Sequence, residues 1–219
     1  TDYLPVCLEK ALASKVKPFI ISDMGDNPTA GGAGDVTWTL TELLKHPEFS
    51  AKEGKRLIYA SIPDSAFVRK AIAAGKGGRI DATAGAKVDA RYAPPVRLNG
   101  EVTAILRDPE GGDVVVVTVN DISVVVTQKR KAYHYEHYFT DLGLKPRETD
   151  ILVVKIGYLV PELYEMQKGW MMALTPGGVD QDLLRIPYKN IIRPVFPLDE
   201  TMEEPDLTAQ WIKVGNRLN

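Results

Sequence analysis

An α/β fold, with a parallel-sheet core, flanking helices and an inserted antiparallel β meander or small barrel, is predicted for this 219-residue sequence by three features. Residues 4–75 alternate helical and strand-like apolar spacing in the order α-β-α-β-α, which builds a parallel sheet. Residues 79–130 switch to strand-like runs separated by turn signals. The run "DILVVKIGY" (150–158) then returns to the continuous apolar character of a core strand.

Each element follows from its local pattern. Leu4, Leu8 and Leu12, with Val6 and Ala11, set helical spacing over 4–14. "PFIISD" (18–23) predicts a short buried strand. "DVTWTLTELLKH" (35–46) predicts a helix with Val36, Leu40, Leu43 and Leu44 on its apolar stripe and Asp35 as its N-cap. "RLIYASI" (56–62) is a second buried strand, and "PDSAFVRKAIAAG" (63–75) is a helix that starts after Pro63 and stops at Gly75. "RIDATAGAKVD", "VRLNGEVTAILRD", "DVVVVTVN" and "ISVVVTQKR" are strands divided by "APP", "PEGGD" and "ND". "YEHYFTDLGL" (135–144) is a short helix, "VPELYEMQKG" is helical, and "WMMALTPGG" is a strand running into a glycine turn. "LRIPYKNIIRPVFPLD" is extended and punctuated by proline. The expected organisation is an α/β core of 1–78 and 148–199, an inserted β unit of 79–130 and a C-terminal tail of 200–219.

Composition narrows the classes. A net charge of −2, with both signs mixed along the chain, gives no basic face for nucleic acid and no polybasic tail for a membrane. No apolar run reaches the roughly 20 residues that span a bilayer. The single cysteine, Cys7, excludes an internal disulfide framework and points to a reducing compartment, the cytoplasm. Its apolar, helix-like setting is that of a buried structural thiol. The chain opens at Thr1 directly into a helical pattern, which predicts a piece of a longer protein. Association into a homo-oligomer is left open.

The stretch "SDMGDNPTAGGAGDVTWTL" (22–40) is the candidate site. Strand, glycine-rich loop and helix in that order form an anion site, because glycine lets backbone approach a ligand and the first helical N–H groups carry partial positive charge. No Gly-Lys-Ser/Thr ending and no G-x-G-x-x-G spacing is present, and Asp23, Asp26 and Asp35 would repel a bare phosphate. An amide- or hydroxyl-bearing substrate, or a partner surface, suits the loop better. Against this stands the bland alternative: Asn27-Pro28 and the glycines build a tight turn, and Asp35 only caps a helix. Lys155, at the end of a core strand, either pairs with Asp23 or Asp26 and shapes a cleft, or points outward. Lys129 and Arg130 are expected as solvated charge. His134 and His137 have the i, i+3 spacing of two ligands, but the tyrosines and phenylalanine around them favour an aromatic packing face. His46 suits a helix C-terminus. No serine sits in a G-x-S-x-G elbow, so no residue of this chain is assigned a catalytic role and none is assigned as a metal ligand.

Five segments together, "SDMGDNPTAGGAGDVTWTL", "LIYASIPD", "VVVTQKRKAYHYEHYFTDLGLKP", "ILVVKIGYLVPELYE" and "ALTPGGVDQDLLRIPYKNIIRPVFPLD", resemble the C-terminal region of the MlrC (microcystinase C) family over about residues 17–199. The resemblance implies a zinc-dependent amide- or peptide-bond hydrolase whose zinc is held by a larger N-terminal domain, absent from these residues. It also implies that Asp23, Asp26, Asn27, Gly31, Gly32, Gly34 and Asp35 line the substrate cleft facing that domain, with a peptide or amide small molecule as substrate; Thr29 of the same loop and Lys155 are read as substrate-binding beside them. Asp26→Ala is then expected to remove activity and spare the fold. The alternatives are a non-catalytic binding or assembly module, and a small-molecule or anion-binding domain built on the glycine-rich loop.

Overall fold

The structure, a computed structural model, describes residues 1–50 and 54–209. Strands are β1 (Asp2–Tyr3), β2 (Phe19–Asp23), β3 (Leu57–Pro63), β4 (Arg79–Ala84), β5 (Val96–Asp108), β6 (Gly112–Val119), β7 (Ile122–Thr127), β8 (Ile151–Val154) and β9 (Gly169–Leu174). Helices are α1 (Leu4–Ala13), α2 (Trp38–Lys45), α3 (Ser65–Ala74), α4 (Glu136–Thr140) and α5 (Pro161–Met166). Among the described residues the strands form one sheet in the order β1-β9-β2-β8-β3-β7-β6-β5-β4. The six strands from β1 to β7 in that order run parallel. The last three continue antiparallel.

The strands of 79–127 therefore extend the sheet of the parallel core. β7 lies parallel beside β3, with Leu57 opposite Ile122, and the sheet stays open, so the antiparallel part is a meander and not a barrel. The two-residue strand β1 was not predicted; it is too short to carry a period.

Both faces of the parallel part are covered, which is why β8 reads as an unbroken apolar run. Successive side chains alternate between two cores. Ile21, Tyr59, Val153 and Val124 pack with Leu8, Leu40, Leu43 and Phe67 of α1, α2 and α3. Ile20, Ile58, Leu152 and Val125 pack on the other side with Phe139, Leu163 and Met166 of α4 and α5. β5, toward the far edge, alternates buried and exposed, as a strand with one wet face does. Cys7 is fully buried in α1, and burial pushes its thiol pKa up. No helix among the described residues is long and apolar enough to cross a membrane.

Residues 1–182 form one compact unit, and the chain from Leu183 onward a second. The described part of the second, 183–209, has no helix or strand. Within it the Arg193 guanidinium forks onto Asp199 at 2.6 and 2.5 Å, and the same carboxylate accepts the Val195 N–H at 2.7 Å. Of the expected tail, 210–219 lie outside the described residues.

Asp64 ties α3 to the meander. Its Oδ1 accepts the Ala66 and Phe67 N–H groups at 3.0 and 2.9 Å, and its Oδ2 accepts that of Gly85 at 3.1 Å. Asp64→Ala should lower unfolding free energy by about 1–2 kcal/mol through the lost cap, read as a shifted denaturant midpoint at unchanged slope.

Candidate active-site cleft

The glycine-rich loop leaves β2 at Asp23 and folds around its own carboxylate. Asp26 Oδ1 accepts the Gly34 N–H at 2.8 Å, and Oδ2 accepts the Val36 N–H at 2.8 Å and the Lys155 ammonium at 2.7 Å. Lys155 also donates to the carbonyls of Gly34 at 2.8 Å and Val36 at 2.7 Å. Both side chains are sealed, with 2% and 1% exposure. The loop is thus an anion cradle, and the anion it holds is part of the chain. Lys155 pairs with Asp26; the outward-pointing alternative fails.

The other two aspartates are also committed internally. Asp35 accepts the N–H groups of Lys87 and Val88 at 2.6 Å each and of Asp89 at 3.1 Å, fixing the turn after β4. It does not cap α2, whose N-cap is Thr37 with no side-chain bond, so that expectation is corrected: the helix starts later and Asp35 faces another segment. Asp23 accepts the Tyr59 hydroxyl at 3.1 Å and that of Thr175 at 2.6 Å. Burial raises its carboxyl pKa, against the pull of Lys155.

Asn27 accepts the Thr29 N–H and hydroxyl at 2.9 and 2.7 Å, starting the turn Pro28–Ala30. Gly34 has φ +81, a conformation that suits glycine. The Thr175–Gly178 turn closes on the same loop: Thr175 Oγ1 accepts the Gly25 N–H at 2.9 Å, and a Cβ on Gly25 or Gly177 would strike the opposing backbone.

Above this interior lies a cleft of about 840 Å³. It is walled by Gly31–Ala33, Pro63–Ala66, Lys87–Asp89 with Arg91, Gln128 with Arg130, and Gly178. These segments follow the carboxyl ends of β2, β3, β7 and β9 and the end of β4. In open α/β sheets the carboxyl edge of the parallel strands is where ligands bind. Of the residues singled out in the sequence, Gly31 and Gly32 line the cleft. Asp23, Asp26, Asp35, Gly34 and Lys155 gather in the interior of the loop, Asn27 is nearly buried, and Thr29 is exposed on the loop.

Arg130, expected as solvated charge, reaches into the wall: its guanidinium donates to the Gly32 carbonyl at 2.8 Å. Its neighbour Lys131 is anchored in the interior by Asp108 at 2.5 Å and lies 3.4 Å from the Tyr138 ring centre. The Ser61 hydroxyl holds the Lys131 carbonyl at 2.9 Å, so the backbone under Arg130 is fixed from both sides. Asp64, Lys87, Asp89 and Arg91 were not singled out. Asp64, between a proline and an apolar helical run, carried a readable cap signal; the others sit on a turn without a local pattern.

His137 stacks on Tyr135 with ring centres 5.7 Å apart and meets Tyr138 edge-on at 4.5 Å. His134 Nε2 is buried without a hydrogen-bond partner among the described residues, and burial lowers its pKa. Among those residues no group of three or more His, Cys, Asp or Glu is placed to hold a metal ion.

Residues 21–190 match the model of the family described as MlrC C-terminus. Microcystinase C from a Sphingomonas species is 24% identical over 157 residues, which cover 68% of this chain and 30% of that protein. A crystal structure of a candidate metallopeptidase from Mesorhizobium sp. BNC1 superposes with a TM-score of 0.74 at 19% identity, covering 92% of this chain and 42% of that one. The chain thus spans less than half the length of either.

The loop geometry reverses the expectation that Asp26→Ala spares the fold. Asp26→Ala and Lys155→Met should each lose about 3–5 kcal/mol of stability, because each strands a buried charge; denaturant unfolding checks this. Asp23 supplies a pH signature. Its raised folded pKa contributes stability that is full below the ordinary value of 3.8 and is lost as pH rises through the folded value. Wild-type stability relative to Asp23→Asn should therefore fall as pH is raised toward neutrality; a constant difference contradicts the assignment.

Proposed function

The chain belongs to the MlrC C-terminus family, and from that premise we propose that it forms one wall of the substrate cleft of a zinc-dependent amide- or peptide-bond hydrolase. The metal ligands lie in an N-terminal domain of the same protein, outside these residues. The likeness in fold to a candidate metallopeptidase supports a metal in the whole protein. The observation that carries the reading is the convergence of four parallel-strand ends on one cleft.

The donors present here do not suit a metal. Asp26 is held by an ammonium and two N–H groups, Asp35 by three N–H groups, and Asp23 by two hydroxyls. What this chain can do is position: the braced loop, the start of α3 and Arg130 give a fixed surface against which a peptide or amide is oriented. The single buried Cys7 supports the reducing cytoplasm as the working compartment.

Ala66, exposed at the start of α3, lines the cleft without holding anything in place. In the full-length protein Ala66→Trp should reduce kcat/KM on peptide substrates by about tenfold or more while leaving the melting temperature unchanged. Full activity with the cleft so filled overturns the reading. So does stoichiometric zinc, or peptidase activity, in the 219-residue chain by itself.

A further inference from the structure

Building on that cleft reading, we infer that the ligand presents a carboxylate to Lys87 and Arg130. The cleft wall carries three cations, Lys87, Arg91 and Arg130, against two carboxylates, Asp64 and Asp89, on a chain whose net charge is −2. The two carboxylates are already satisfied. Asp64 accepts three backbone N–H groups. Asp89 takes the Arg91 guanidinium in a fork at 2.8 and 2.7 Å, and with it neutralises that cation.

Lys87 and Arg130 are left over. Both are exposed, and no carboxylate of the described residues pairs with either. Arg130 is held by a neutral acceptor, the Gly32 carbonyl, so it is oriented without being neutralised and keeps N–H groups for a ligand. The aspartates of the glycine-rich loop do not cancel this charge at the surface in pairs, since Asp26 is matched by Lys155 and Asp35 is roofed by the backbone of 87–89. A positioned guanidinium and an exposed ammonium on one cleft wall suit a carboxylate, which accepts from both. In a peptide that group is either the chain's terminal carboxylate or an acidic side chain.

The test titrates the 219-residue chain with three tetrapeptides: Ala-Leu-Ala-Glu amide, Ala-Leu-Ala-Ala free acid, and the neutral Ala-Leu-Ala-Gln amide. At least one acidic peptide should bind about ten- to a hundredfold more tightly than the neutral one, as expected for a charged hydrogen bond, and the tighter of the two identifies the carboxylate's source. Lys87→Gln and Arg130→Gln should each remove that preference, and Lys87→Gln, whose side chain braces nothing in the wall, should do so with the neutral peptide's affinity and the melting temperature unchanged. Equal binding of all three peptides overturns the carboxylate assignment and leaves the cleft reading standing. A preference that survives both substitutions overturns the assignment to these residues. Binding by none of the three overturns the cleft reading with it.

Discussion

The buried ion pair between Lys155 and Asp26 is the constraint from which the rest of the cleft follows. Taking two charges out of water costs several kcal/mol per ion, and their attraction offsets this only when further hydrogen bonds complete both groups. Here they do. The ammonium has three acceptors and the carboxylate three donors, and four of those partners are backbone groups of the loop itself. β8 lies between β2 and β3 in the sheet, and Lys155 directly follows it. The pair therefore pins the loop that leaves β2 to the middle of the parallel sheet. A glycine-rich segment that would otherwise sample many conformations is given one.

This use of charge decides what the cleft shows to a ligand. Three aspartates in a short loop suggest an acidic surface, yet each is turned inward and satisfied by the chain. The exposed wall is made of loop backbone, the start of α3, and basic side chains from the turn after β4 and the end of β7. Asp35 links the two levels: by holding the N–H groups of 87–89 it fixes the backbone that carries Lys87 into the cleft. The Lys131–Asp108 anchor does the same for Arg130.

How much of this was legible depends on distance along the chain. The alternation of helical and strand periods placed every helix and all but the two-residue strand, because those signals are local. The anomaly of a lysine ending an apolar core strand left two readings, a loop aspartate or an outward side chain, and the structure selects the first. Which aspartate it was could not be read, since the partners are 129 residues apart and both candidates precede the same glycines. The role of Asp35 was misplaced for a related reason. Its position before an apolar helical run is a cap signal, but three N–H groups brought in by the turn after β4 outcompete a cap that α2 does without. Arg130 ended a strand in a run of like charge, and nothing near it in sequence announces the Gly32 carbonyl.

The same bonding pattern agrees with the proposed division of labour, in which this chain supplies a wall and no metal ligand. For Asp26 to serve a metal it would have to give up Lys155, which would leave an ammonium buried against two carbonyls with no counter-charge, a loss of the order of 3–5 kcal/mol. Asp35 would have to release the turn that carries Lys87, and Asp23 would have to give up the Tyr59 and Thr175 hydroxyls. Each such move would dismantle the wall in order to furnish the ion. A loop built this way suits the proposed role of a braced wall, in which its carboxylates serve the chain and the cations at the surface are left for the ligand.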